Sequence, residues 1–160
     1  MKVVLQRVKM AKVEVAGQEI SRVGRGICLF VGIEKGDSEK ETEELARKSV
    51  ELRIFPDDEG KMNLSLSQIA GEVLAVSQFT LAGSTRKGRR PSFDQAEEPG
   101  RAAELFNHFI HTIRALGFVV KSGVFGALME VHLINEGPAT FILESRVREA
   151  EKEFLGGNFR

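Results

Sequence analysis

The chain has 160 residues, 42% of them hydrophobic, and its 23 basic and 23 acidic side chains cancel to a formal net charge of zero. That length suits a single domain over residues 1–160 and is short for two. The charge balance excludes nucleic-acid binding through the overall field, so any such contact must come from a local patch. The lone cysteine, Cys28, excludes an internal disulfide and lies in the apolar run Ile27 to Val31, as expected for a buried thiol in a reducing compartment. No apolar stretch approaches the ~20 residues needed to cross a bilayer, and the first residues lack a signal-peptide core. A cytoplasmic protein without a membrane contact is the expectation.

In chain order, residues 2–15 and 18–23 are rich in β-branched residues on either side of Ala16-Gly17, the pattern of a hairpin, and residues 26–33 form a buried strand. Ser38 with Glu41 makes a capping box opening a helix to about Leu52, with Leu45, Ala46, Ser49 and Leu52 facing the core. Arg53-Ile54-Phe55 reads as a short strand before the turn at residues 56–60, and residues 72–81 as a longer one. Pro99 opens a second helix whose Ala102, Leu105, Phe106, Phe109, Ile113 and Leu116 recur at three- and four-residue spacing before Gly117. Strands over 118–121, 128–135 and 139–143 close the fold, and a polar helix runs from about Ser145 to before Gly156-Gly157. The expected class is α+β, with mainly antiparallel sheets forming a barrel-like core covered by two long helices.

Two segments stand apart from core and loop. Ser77-Gln78-Phe79-Thr80-Leu81 ends an apolar strand, where it lifts a hydroxyl, an amide and several backbone N–H groups to a sheet edge. Asn135-Glu136-Gly137-Pro138-Ala139-Thr140 sets Gly-Pro between two apolar stretches, a pair that fixes one φ, removes a donor and is able to take a cis bond. Each also has a plain reading: a trans turn for the one, and hydroxyls bonded to neighbouring backbone for the other. Arg86, Lys87, Arg89 and Arg90 crowd one short loop, which is either a solvated segment or a contact for phosphates.

His108 and His111 sit three apart on the second helix without a convincing third ligand, and His132 alternates along a strand, so neither a metal nor a cofactor is expected. No Ser-His-Asp pattern is present. A nucleophilic Thr80 would therefore lack an evident base. Positioning plus N–H donors around a developing oxyanion is the chemistry these residues allow, acting on an activated ester with a neighbouring hydroxyl.

Together, Ser-Gln-Phe-Thr-Leu at 77–81 and Asn-Glu-Gly-Pro-Ala-Thr at 135–140 resemble the paired signatures of the D-aminoacyl-tRNA deacylase family. Gln6-Arg7-Val8, the stretches at 31–37, 60–65 and 85–93, and Gly123-Val124-Phe125-Gly126-Ala127 resemble that family in the same order. The resemblance implies a homodimeric editing enzyme that cleaves the ester between a D-amino acid and the terminal adenosine of tRNA. In that family the Gly-Pro bond is cis, and the motif of one subunit enters the site of the other. Carried onto this sequence, Gly137 and Pro138 select handedness, braced by Arg7 and flanked by Asn135. Ser77, Gln78, Phe79 and Thr80 hold the ester, Phe125 and Met129 flank the adenine, and Arg86, Lys87, Arg89 and Arg90 meet the tRNA backbone. The substrate's own 2′-hydroxyl assists cleavage. Two departures are visible: Ala139 replaces the usual Val, and Leu128 stands where the family commonly has Asp.

A filter that rejects only an L side chain passes glycine, so glycyl-tRNA is an expected substrate beside D-aminoacyl-tRNA. The rivals are a nucleic-acid-binding module that does no chemistry and a small-ester hydrolase with Thr80 as nucleophile.

Overall fold

The computed structural model describes residues 1–86 and 88–145. The first 23 of them form the expected hairpin, β1 (Lys2–Val15) and β2 (Gln18–Val23). Its two-residue turn places Ala16 at φ 50° and Gly17 at φ 76°, both left-handed, as the twist of paired strands requires of so short a loop. β3 (Gly26–Gly32) pairs antiparallel with β1 from Lys2↔Gly32 to Val8↔Gly26. The same edge of β1 pairs with β2 from Ala11 onward, so this long strand passes from one neighbour to the other along its length.

Helix α1 (Glu39–Glu51) opens on a complete capping box: the Ser38 hydroxyl accepts from the Lys40 N–H, and the Ser38 N–H donates to Glu41 at 2.9 Å. It buries Thr42 and Val50 as well as the expected Leu45, Ala46 and Ser49. A small ribbon of β4 (Phe55–Pro56) and β5 (Met62–Leu64) follows. Then come β6 (Glu72–Ser77), α2 (Pro99–Ala115), β7 (Val120–Ser122) and β8 (Glu130–Glu144). β6 runs parallel to β3, and β7 parallel to β6, because α1 and α2 lie in the crossovers between them. The other four pairings are antiparallel.

The main sheet runs β2-β1-β3-β6-β7, with β8 on the free edge of β1. Lys121 of β7 donates to the Arg22 carbonyl of β2 at 2.7 Å, drawing the two ends of that path together into a nearly closed barrel. Alternation along the strands divides the apolar side chains between two clusters. Ile27, Leu29, Val31, Val73 and Ala75 pack with the helices around Leu105, Phe106 and Phe109. Cys28, Leu74 and Val76 join Val8, Ala11, Val13 and Val23 in the second cluster, where burial pushes the Cys28 thiol up to about 12. Close approach of β3 to β6 requires glycine at position 26, where a Cβ would lie 1.9 Å from the Glu72 carbonyl oxygen.

Several boundaries differ from the sequence expectation, among them the strand expected over 118–121, which runs Val120–Ser122. The strand expected over 72–81 stops at Ser77. β3 ends at Gly32, so no ladder partner continues beside the chain, which folds into a 3₁₀ turn, Phe79–Ala82. The strands expected over 128–135 and 139–143 are one strand, β8, because β1 runs unbroken beside both halves. The short strand at 53–55 moves to Phe55–Pro56, where β5 supplies its partner. The polar helix expected beyond Ser145 falls on residues outside those described.

Candidate active site

The end of β6 carries the first of the two singled-out segments. Gln78 still joins the ladder, its N–H donating to Val31 O at 2.8 Å, and then i→i+3 bonds from Leu81 to Gln78 (3.2 Å) and from Gly83 to Thr80 (3.0 Å) close the 3₁₀ turn. Phe79 and Thr80 occupy its first turn, where no carbonyl of the helix precedes their N–H groups. The Gln78 amide donates to Thr80 Oγ1 at 2.5 Å, fixing an otherwise exposed hydroxyl. Gly32 lets this strip lie close: a Cβ there would sit 2.8 Å from both Gln78 O and Leu81 Cβ.

Ser77, Gln78 and Phe79 form one wall of a cavity of about 490 Å³. Phe125 and Met129 line the same cavity, together with Phe106 of α2. The Phe106 and Phe125 rings lie 6.1 Å apart. The structure thus brings together five residues singled out from two distant parts of the sequence: an apolar chamber with backbone donors on its rim, suited to a flat base beside a group that develops negative charge. Leu128 stands at the mouth, 95% exposed. Thr80 is outside the lining, as are Arg7, Asn135, Gly137 and Pro138.

The second segment is a bulge of β8 against β1. Gln6 pairs with Thr140 and Val8 with Asn135, so residues 136–139 stand opposite Arg7 alone. The Gly137-Pro138 bond is cis, and both residues are exposed. Beneath them Arg7 is 6% exposed. Its Nε donates to Glu136 O at 2.9 Å, and its Nη1 donates to Ile54 O. Asn135 rivets the bulge from the other side, its Nδ2 donating to Arg7 O at 3.1 Å and Ala139 O at 3.3 Å. The outcome is exposed chain at Gly137-Pro138 whose flanking carbonyls are held by two side chains.

Two contributors escaped the sequence reading. The Glu136 carboxylate lies 3.8 Å from Arg7 Nε and 3.6 Å from Arg25 Nε, and the Arg25 guanidinium rests 5.6 Å above the Phe55 ring. No local pattern marks Arg25, because its partners reach it only through the register of three strands. Phe93 is the other: its ring meets Phe79 edge-on at 5.2 Å. Paired hydrogen bonds between Ser84 and Ser92, 2.7 and 3.0 Å long, close the neck of the loop bearing Arg86, Arg89 and Arg90, all exposed. Lys87 lies outside the described residues.

His108 meets Glu43 at 3.0 Å. Strand register also gathers Glu14, Glu130 and His132 within 4.8 Å, a group with no sequence spacing to announce it. The Lys12 ammonium already sits on the Glu14 carboxylate and holds that carboxyl below its ordinary range.

A family model described as D-Tyr-tRNA(Tyr) deacylase matches residues 4–144. A D-aminoacyl-tRNA deacylase of Geobacter sulfurreducens is 51% identical over 150 residues, covering 94% of this chain and 99% of that protein. One of Thermodesulfovibrio yellowstonii is 55% identical over 142 residues, covering 89% and 97%. Among solved structures, the c-Myc DNA unwinding element binding protein matches with a TM-score of 0.86 and 42% identity over 92% of this chain and 100% of that one. A probable eukaryotic D-amino acid tRNA deacylase shares the fold, with a TM-score of 0.76 at 21% identity, covering 89% and 97%.

Proposed function

This chain belongs to the D-Tyr-tRNA(Tyr) deacylase family and is a D-aminoacyl-tRNA deacylase, a carboxylic ester hydrolase, and from that premise we propose how its site reads handedness. The exposed main chain at Gly137-Pro138 of one subunit enters the cavity of a second and crowds one face of the substrate's Cα. An L side chain meets that wedge; a D side chain points away, and glycine has nothing to clash. The observation that carries this reading is the bulge itself. It is main chain left bare at the surface, gripped by buried Arg7 and by Asn135, and it has no place in the lining of its own chain's cavity.

In the cavity, Phe125 and Met129 flank the terminal adenine, and the strip Ser77 to Thr80 holds the ester. Water adds to the ester carbonyl, and the developing oxyanion is met by the N–H groups of Phe79 and Thr80. The neighbouring 2′-hydroxyl relays a proton to the departing 3′-oxygen as the C–O bond breaks, leaving free amino acid and tRNA. Thr80 positions and does not attack. Arg86, Lys87, Arg89 and Arg90 neutralise acceptor-stem phosphates without reading sequence. We read residues 1–160 as one such domain, working as a cytoplasmic homodimer. Among the described residues no helix is long and apolar enough to cross a membrane.

Deacylation of one tRNA charged with D-, L- and glycyl esters tests the filter: D and glycyl forms are cleaved and the L form is spared. Comparable rates on D and L remove the wedge. A second reading, nucleic-acid binding without chemistry, is favoured by the similarity to the c-Myc DNA unwinding element binding protein and by the exposed arginine loop. It predicts tRNA retention with no amino acid released.

A further inference from the structure

We propose that Phe79 and Phe93 together form a stacking platform for the unpaired nucleobase that precedes the terminal adenosine of the acceptor strand. This rests on the deacylase reading above and extends it beyond the adenine chamber to a second subsite. The two rings meet edge to face, with centroids 5.2 Å apart and planes at 64°. They stay 59% and 40% exposed, so their outer faces contribute little to the core. Phe93 is seated against main chain: a Cβ on Gly83 would lie 3.0 Å from its Cε1. Rigid aromatic faces open to solvent are what single-stranded nucleic acid stacks upon, whatever the base.

Position gives the platform its occupant. Phe79 lines the cavity and Phe93 does not, so the pair leads outward from the chamber that receives the terminal nucleoside. Phe93 directly follows the loop pinched at Ser84 and Ser92. On that loop Arg86, Arg89 and Arg90 are exposed, and none has a carboxylate partner among the described residues. A strand whose 3′ end enters the cavity sets its next base on the rings and its phosphates against three exposed guanidinium groups, the charge complement of an RNA backbone.

The test compares two substrates that differ only in the preceding nucleotides: D-aminoacyl-tRNA and the D-aminoacyl ester of adenosine alone. In wild type, kcat/KM favours the tRNA. Phe93→Leu, which keeps apolar packing and removes the aromatic face, is expected to lower that ratio about tenfold, chiefly through KM. Phe93→Trp is expected to retain it. Equal losses on both substrates, or an unchanged ratio in Phe93→Leu, overturn the platform. So does dissociation of the homodimer on Phe93→Leu, which would make the rings a subunit contact. A wild-type enzyme that cleaves neither ester refutes the deacylase reading itself, an outcome distinct from the other three.

Discussion

The two backbone segments of the proposed site are held in opposite ways. Gly137-Pro138 is gripped by two side chains: the buried Arg7 guanidinium ties the Glu136 carbonyl to that of Ile54, and the Asn135 amide ties the Ala139 carbonyl to that of Arg7. Phe79 and Thr80 are held from above and beside, by one ladder bond at Gln78, two i→i+3 bonds and the close approach that Gly32 allows. A segment that must exclude one enantiomer has to resist displacement, whereas a segment that holds an ester needs free N–H groups more than stiffness. Selection and rate are therefore expected to fail separately when each support is removed.

The largest effect is expected for Arg7→Ala. It leaves the Glu136 and Ile54 carbonyls without their buried donor, lowering stability by about 2–4 kcal/mol and collapsing the ratio of D to L deacylation. Denaturant midpoints and paired rate measurements check both. Arg7→Lys should not restore the ratio, since one ammonium lacks the fork that reaches two carbonyls. Gly32→Ala should do the reverse: its methyl group displaces Gln78 and Leu81, costing on the order of tenfold or more in rate on D-aminoacyl-tRNA while the D-to-L ratio of what remains is preserved. Asn135→Ala removes two side-chain bonds of ordinary length, at about 1 kcal/mol each or less, and should relax selection partially. Thr80→Ala is expected to do least, leaving activity within about tenfold of wild type, because the proposed proton relay lies on the substrate. Abolished turnover in that variant would restore Thr80 as a nucleophile.

Much of the scaffold was legible in the sequence because local chemistry determines it. The hairpin follows from β-branched runs around Ala16-Gly17, α1 from the Ser38 and Glu41 capping box, and α2 from its apolar spacing between Pro99 and Gly117. What was not legible depends on partners distant in sequence. That residues 130–144 form one strand is decided by β1 running alongside, and that the 77–81 segment turns is decided by β3 ending at Gly32. The two signature segments were recognisable by resemblance, and the cavity joins Ser77, Gln78 and Phe79 to Phe125 and Met129. The grips on the bulge were only half visible: Arg7 belonged to a recognised stretch, while Arg25 and Glu136 meet solely through tertiary register.

The central claim is that the wedge of one subunit serves the cavity of another. Co-expressing Arg7→Ala and Gly32→Ala chains with different tags, and purifying the mixed dimer, tests it most directly. One of the two sites in that dimer pairs an intact wedge with an intact cavity, so about half of the wild-type D-aminoacyl-tRNA rate should return, with its discrimination against L. A mixed dimer that cleaves L-aminoacyl-tRNA at about half the rate of the Arg7→Ala homodimer would contradict the account.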